Sequence, residues 1–142
     1  MKLLSRYYGE REYEEKDIIT FEKGLPGFRE LKKFIIFPVE ENKVFNMLHS
    51  IDNMEIGLVI VSPFYVMKEY EFELSDEKID ELSVEKENDI NVYTTVCLNK
   101  DIKNITVNLK APIVINIKEN KGEQLILDDD KYQIKYPLFK EE

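Results

Sequence analysis

Few residues in this chain have the chemistry an enzyme needs. His49 is the only histidine and Cys97 the only cysteine. His49, Ser50 and Asp52 hold the letters of a nucleophilic triad, but neighbours along a strand point to opposite faces, so His49 and Ser50 do not meet through their side chains. Cys97 falls in an apolar run and reads as a small packed hydrophobe. One Cys and one His make no Cys/His metal site. Asp128-Asp129-Asp130 has the acids of a calcium loop without its spaced ligands, glycine or terminal glutamate, and reads as a turn. Gly24 and Gly27 flank Pro26, which lacks the backbone N–H that a phosphate cradle would use. No cofactor or metal is called for, and the reading is of a non-enzymatic binding protein.

The strongest chemical signal is charge. Residues 69–89 hold ten Asp and Glu against Lys78 and Lys86, net −8 of a formal −9 for the whole chain. A field so localised steers basic partners and repels nucleic acid. In Val66–Leu74 the acids alternate with apolar residues: Glu69, Glu71 and Glu73 share one side, Tyr70, Phe72 and Leu74 the other. That pattern reads as an edge strand with a solvated acidic face. Ser75 then reads as the N-cap of a short helix near 75–82, with Asp76 and Glu77 in its first turn and Asp80 and Glu81 in its second. Ile79 and Leu82 pin that helix down.

The elements that position these groups follow from composition. Sixteen Ile, ten Val, eight Phe and eight Tyr stand against a single alanine, Ala111. β-Branched and aromatic side chains fit pleated sheets. The 142 residues make one domain, long enough to bury roughly 70% of its unfolded surface without disulfides. Further strands are expected at 2–8, 17–21, 34–37, 44–48, 56–61, 90–98, 104–109, 113–117, 123–127 and 132–136. One helical turn is expected at 29–33, a hairpin turn at Asn120-Lys121-Gly122, and a frayed end at 139–142. About eight to ten short strands in one domain point to a mainly β, barrel-like fold in which closure removes exposed edges. Nothing approaches ~20 uninterrupted apolar residues, and Leu3-Leu4 is too short for a secretory signal, so the expectation is a cytoplasmic protein that engages no membrane.

Four segments, taken in order, carry a resemblance: Gly24-Leu25-Pro26-Gly27-Phe28, Phe45-Asn46-Met47-Leu48-His49-Ser50, Ser62-Pro63-Phe64, and Asn108 through Asn116 with Leu109, Ala111 and Pro112 between. With Tyr70-Glu71-Phe72, Gln124 and Tyr132 they span the chain, which resembles the flagellar assembly factor FliW family. The resemblance implies a cytoplasmic regulator that binds flagellin and, in its place, the RNA-binding translational repressor CsrA, relieving repression of flagellin translation by partner switching. It implies no direct contact with nucleic acid and a monomer when free. His49 departs from the family, whose members tend to carry Gln there.

On this reading Glu69, Glu71, Glu73, Asp76, Glu77, Asp80 and Glu81 face CsrA. Phe45, Leu48, His49, Ser50, Ala111 and Pro112, at strand ends, face flagellin. Gly24, Leu25, Pro26, Gly27, Phe28, Asn108, Leu109 and Asn116 shape backbone. Two other readings stand beside it: a small barrel holding an apolar ligand, and a hydrolase using converging carboxylates.

Overall fold

The strands richest in Ile, Val and aromatic residues are the ones covered on both faces. The structure is a computed structural model that describes residues 1–5, 9–39 and 44–139. In chain order the strands are β1 (Lys2–Ser5), β2 (Gly9–Glu12), β3 (Ile19–Thr20), β4 (Lys33–Pro38), β5 (Asn46–Ser50) and β6 (Gly57–Val61). Two short helices follow, α1 (Pro63–Val66) and α2 (Asp76–Glu81). The second half holds β7 (Ile90–Cys97), β8 (Thr106–Val107), β9 (Ile113–Asn116), β10 (Lys121–Gln124) and β11 (Tyr136–Pro137).

Seven strands close a barrel in the order β7-β6-β5-β4-β3-β10-β9, with β9 returning to β7. The closing pairs run from Ile90↔Asn116 to Tyr93↔Ile113. Around the ring every contact is antiparallel except β3 with β10. The far end of β7 leaves the barrel to pair with β8, and β8 with β11.

Phe21, Leu25, Phe34, Leu48, Ile60, Ile113 and Ile115 fill the interior. The rings of Phe21 and Phe34 meet edge to face at 5.4 Å, a favoured aromatic geometry. Gly122 makes room for them, since a Cβ there would sit 2.6 Å from Phe21 Cζ. An apolar ligand would have to displace this packing, which removes the support for a ligand-holding barrel.

The barrel's outer face is covered in three places, and β4, β6 and β9 read as near-continuous apolar runs. The β1–β2 hairpin brings Leu3 onto Ile35, Phe37 and Met47. The α2 region brings Leu82 onto Val114 and Leu125. Beyond the β7 end, Tyr70, Val107, Leu109, Tyr132 and Leu138 build a further cluster. Ile113 and Ile115 point into the barrel and Val114 outward, whereas Ile117, the last residue of the expected strand, lies past the end of β9 and is exposed.

Several elements differ from the sequence-based expectation. Val66–Leu74 is no strand: Ser62 caps a helical turn opened by Pro63, and Tyr70 N–H then closes a turn onto Met67 C=O. The alternation of side chains persists without a ladder. The segment 17–21 contributes only the two residues of β3, because Glu15–Asp17 form a 3-10 turn. In 29–33 a turn forms, with Leu31 N–H on Phe28 C=O, but no helix. The strand expected at 104–109 shortens to β8, the one at 123–127 moves back to β10, and the one at 132–136 forward to β11. Cys97, expected inside, is exposed. It is the last residue of β7, where only β8 lies alongside. Arg6–Tyr8 of the first expected strand and residues 140–142 of the expected frayed end lie outside the described residues.

Candidate functional site: an acidic ridge between two grooves

The acidic window takes its shape from hydrogen bonds that replace a missing strand partner. The Tyr70 ring is buried and its hydroxyl donates to Leu109 C=O at 2.7 Å. The Tyr132 hydroxyl lies against the main chain of Glu71, accepting its N–H and donating to its C=O. The two rings are 4.6 Å apart. Burial first, then the neighbouring Tyr132, pushes the Tyr70 phenol above its ordinary range, so it stays a neutral donor. Phe72 and Leu74 point inward, half-buried, and Glu71 and Glu73 stand out into solvent.

The next turn is capped as the sequence indicates: Ser75 Oγ accepts Lys78 N–H at 3.2 Å and opens α2. Asn116, fully buried on β9, locks the end of this helix by donating Nδ2–H to Leu82 C=O at 2.8 Å and Ser83 C=O at 3.1 Å. Its Oδ1 accepts Lys118 N–H and Glu119 N–H, so one side chain ties the helix end to the β9–β10 turn.

Six of the seven acids assigned to a partner are exposed: Glu69, Glu71, Glu73, Asp76, Glu77 and Asp80. None forms an ion pair among the described residues. Glu81 is different. It is half-buried and bonded to Lys23 and Lys78, each at 3.1 Å, and both lysines also reach Glu123. Hydrogen bonds from Lys23 and then Lys78 hold the Glu81 carboxyl below its ordinary value, the opposite of what a general acid needs. Glu71 and Glu73 stand exposed at groove rims, while Glu69, Asp76, Glu77 and Asp80 line neither groove, and the hydrolase reading gains no support. Among the described residues no group of three or more His, Cys, Asp or Glu side chains converges for a metal.

Two grooves flank the ridge. The larger, about 660 Å³, has an apolar floor of Phe64, Phe72, Leu74, Ile79, Val84 and Ile90, and a rim of Glu71, Glu73, Glu85 and Glu87. The smaller, about 360 Å³, lies between Glu71 and Glu73 on one side and Leu127, Asp128, Asp129 and Tyr132 on the other. Phe64 is 46% exposed at the mouth of the larger groove.

The residues assigned to flagellin do not form one exposed patch. Leu48 lies in the barrel interior. His49 points to the opposite face of β5, buried and stacked on Phe37 at 6.2 Å, with Nδ1 2.7 Å from Ser50 C=O. Ser50 Oγ, also buried, accepts Asp52 N–H and Asn53 N–H and shapes the β5–β6 turn. Phe45 is half-buried, and Ala111 and Pro112 are buried with their carbonyls engaged by Gln124 Nε2–H and Leu125 N–H.

The motif residues shape backbone. Leu25, 1% exposed, and Phe28 close a turn through Phe28 N–H on Leu25 C=O at 2.8 Å, with Pro26 and Gly27 at its tip. Gly27 has φ +86°, as the third position of a type II turn requires. Asn108 Oδ1 accepts Lys110 N–H and Ala111 N–H, and Leu109 is fully buried.

Sequence reasoning finds the ridge and the helix but not the groove. Phe64, Ile79, Val84 and Ile90 come from four separate stretches, and no spacing links them. Tyr132 enters the sequence reading as the start of an expected strand and through the family resemblance, and nothing local marks its distant main-chain partner. Among the described residues no helix is long and apolar enough to cross a membrane.

Comparison with known proteins gives one consistent result. The profile of the FliW protein family matches residues 2–138. The flagellar assembly factor FliW of Clostridium botulinum (strain 657 / Type Ba4) is 58% identical over 142 residues, covering 100% of this chain and 99% of that protein. The flagellar assembly factor FliW of Clostridium novyi (strain NT) is 57% identical over 141 residues, 99% of each chain. A crystal structure of the flagellar assembly factor FliW superimposes with a TM-score of 0.89 at 36% identity, covering 99% of this chain and 98% of that one.

Proposed function

The chain belongs to the FliW family of flagellar assembly factors, and from that premise we propose that it is a cytoplasmic, non-enzymatic regulator with two exclusive protein clients. One client is flagellin; the other is CsrA. While flagellin occupies the protein, CsrA is free to repress flagellin translation. When flagellin leaves, CsrA is captured and translation resumes.

The observation that supports the CsrA arm is the row of exposed carboxylates at Glu69, Glu71, Glu73, Asp76, Glu77 and Asp80, none of them in an ion pair among the described residues. An RNA-binding protein has a positive surface, and complementarity of this kind acts mainly on association rate and specificity. A bound acidic body also repels RNA phosphate, so repression is relieved without covering the RNA site. Glu81, already engaged by two lysines, contributes least to this field.

For flagellin, the six assigned residues act through the strand ends and corners they hold, since most of their side chains are buried. Replacing Glu69, Glu71 and Glu73 together by Gln tests the CsrA arm. Stopped-flow mixing with purified CsrA is expected to show association slowed roughly tenfold at low salt, and less at higher salt, with flagellin binding affected less. Association unchanged across low and moderate salt would overturn the reading.

A further inference from the structure

Residues 70–74 are laid out like a strand and paired like none. Burial alternates from buried Tyr70 through exposed Glu71, half-buried Phe72 and exposed Glu73 to half-buried Leu74, yet no ladder includes them. In an extended chain the N–H and C=O of one residue point to one lateral side and those of the next residue to the other. Glu71 sends both toward Tyr132. Phe72 and Leu74 therefore send theirs the opposite way, over the larger groove. Among the described residues nothing hydrogen-bonds to them.

We propose that this edge and groove form a strand-addition site for an extended segment of a partner protein, one with apolar side chains at alternate positions and Lys or Arg between them. The incoming main chain pairs with Phe72 and Leu74 at the usual spacing of about 4.8 Å. Its inward side chains then rest on Phe64, Ile79, Val84 and Ile90. Its outward side chains lie beside Glu71 and Glu73, with Glu85 and Glu87 on the far rim and Lys86 the lone cation lining the groove. The open main-chain groups favour an extended occupant over a helix, whose own amides are already satisfied. The charge excludes a second copy of this chain, because pairing two such edges would set glutamates against glutamates.

The inference goes beyond the two-client reading and does not depend on it, because its probe is neither client. That probe is a capped, fluorescent peptide of alternating Val and Lys, compared with the same peptide fully N-methylated, which keeps charge and side chains but has no amide donors. The parent peptide is expected to bind saturably and to slow hydrogen exchange at the Phe72 and Leu74 amides. N-methylation is expected to weaken binding about tenfold or more, as the loss of paired hydrogen bonds requires. Phe64→Ala is expected to weaken it severalfold with an unchanged melt.

Equal binding of the methylated peptide would reduce the site to charge attraction and overturn the proposal. So would unprotected amides at Phe72 and Leu74, tighter binding of a helical Leu/Lys peptide, or no saturable binding.

Discussion

The hydroxyl of Tyr132 holds both main-chain polar groups of Glu71, accepting the N–H at 3.0 Å and donating to the C=O at 2.8 Å. A neighbouring strand would normally supply those two bonds; here one side chain, 61 residues away, supplies both. The acidic ridge keeps its shape through this contact. Tyr132→Phe keeps the ring on Tyr70 and removes only the hydroxyl. It is expected to cost about 1–3 kcal/mol, read by urea unfolding, and to speed hydrogen exchange at the Glu71 amide. A variant as stable as the parent would show that water replaces the hydroxyl without loss.

Gly24 and Gly27 both have positive φ, at +66° and +86°, but their surroundings differ. A Cβ on Gly24 would lie 2.5 Å from the Cα and carbonyl oxygen of Arg29, both backbone atoms that cannot swing aside, while a Cβ on Gly27 meets nothing within 4 Å. Gly27→Ala therefore carries only the conformational cost of about 1 kcal/mol. Gly24→Ala adds a steric clash and is expected to cost several times more, on the order of 3 kcal/mol or above. Thermal melts of the two variants check the ordering, and equal losses would contradict it.

What the sequence made legible divides along the same line as local and distant contacts. The Ser75 cap and the strands at 34–37 and 56–61 are written in adjacent residues and stand close to where the pattern puts them, while the strand expected at 44–48 lies two residues further on, at Asn46–Ser50. The alternation in Tyr70–Leu74 correctly gave the facing of each side chain, and wrongly gave a strand, because a ladder depends on a neighbour that no local pattern reports. Cys97 sits in an apolar run and is exposed because β7 outlasts the barrel. His49 and Ser50 do face apart, but both are buried: His49 stacks on Phe37, on the face that the β1–β2 hairpin covers, and Ser50 Oγ turns into the β5–β6 turn on the other side. The groove is the least legible feature, assembled from four stretches that only the fold brings together.

Asn116 makes four hydrogen bonds from a fully buried side chain, two to carbonyls at the end of α2 and two from amides of the following turn. Asn116→Ala strands several of these groups, and each unsatisfied group costs about 1–3 kcal/mol. The variant is expected to lose on the order of 3 kcal/mol or more and to loosen α2, measured by chemical denaturation and by hydrogen exchange at Leu82 and Val84. Asn108→Ala, which frees only the amides of Lys110 and Ala111 in a partly buried turn, is expected to lose less.

Cys97 is the one cysteine of the chain and is exposed at the end of β7. A thiol reagent is expected to label the native protein fully without denaturant, in one kinetic phase. Labelling that waits for unfolding would place the residue inside after all. The label lies on a part of β7 outside the barrel ring, so it also reports on β8 and β11 without touching the acidic ridge.

Lys23, Lys78, Glu81 and Glu123 form a closed set of ion pairs joining α2 to β10 and to the residues after β3. Hydrogen bonds from Lys23 and Lys78 lower the Glu81 pKa, while the hydrogen bond to Glu123 is the largest cause raising that of Lys78. The two shifts act on opposite limbs of the stability curve. A carboxyl with a lowered folded value stabilises above its unfolded value of 4.5, and that contribution is lost as pH falls through the folded value. An amine with a raised folded value stabilises below its unfolded value of 10.5, and that contribution is lost as pH rises through the folded value. Glu81→Gln is therefore expected to flatten the fall in Tm between about pH 6 and about pH 3 and to leave most of the alkaline limb. Lys78→Met is expected to flatten both. Salt weakens the exposed Lys23 pairs first, since screening acts most on solvated charges. Parallel melting curves for the parent and Glu81→Gln across the acid range would show that the network carries no pH-linked stability.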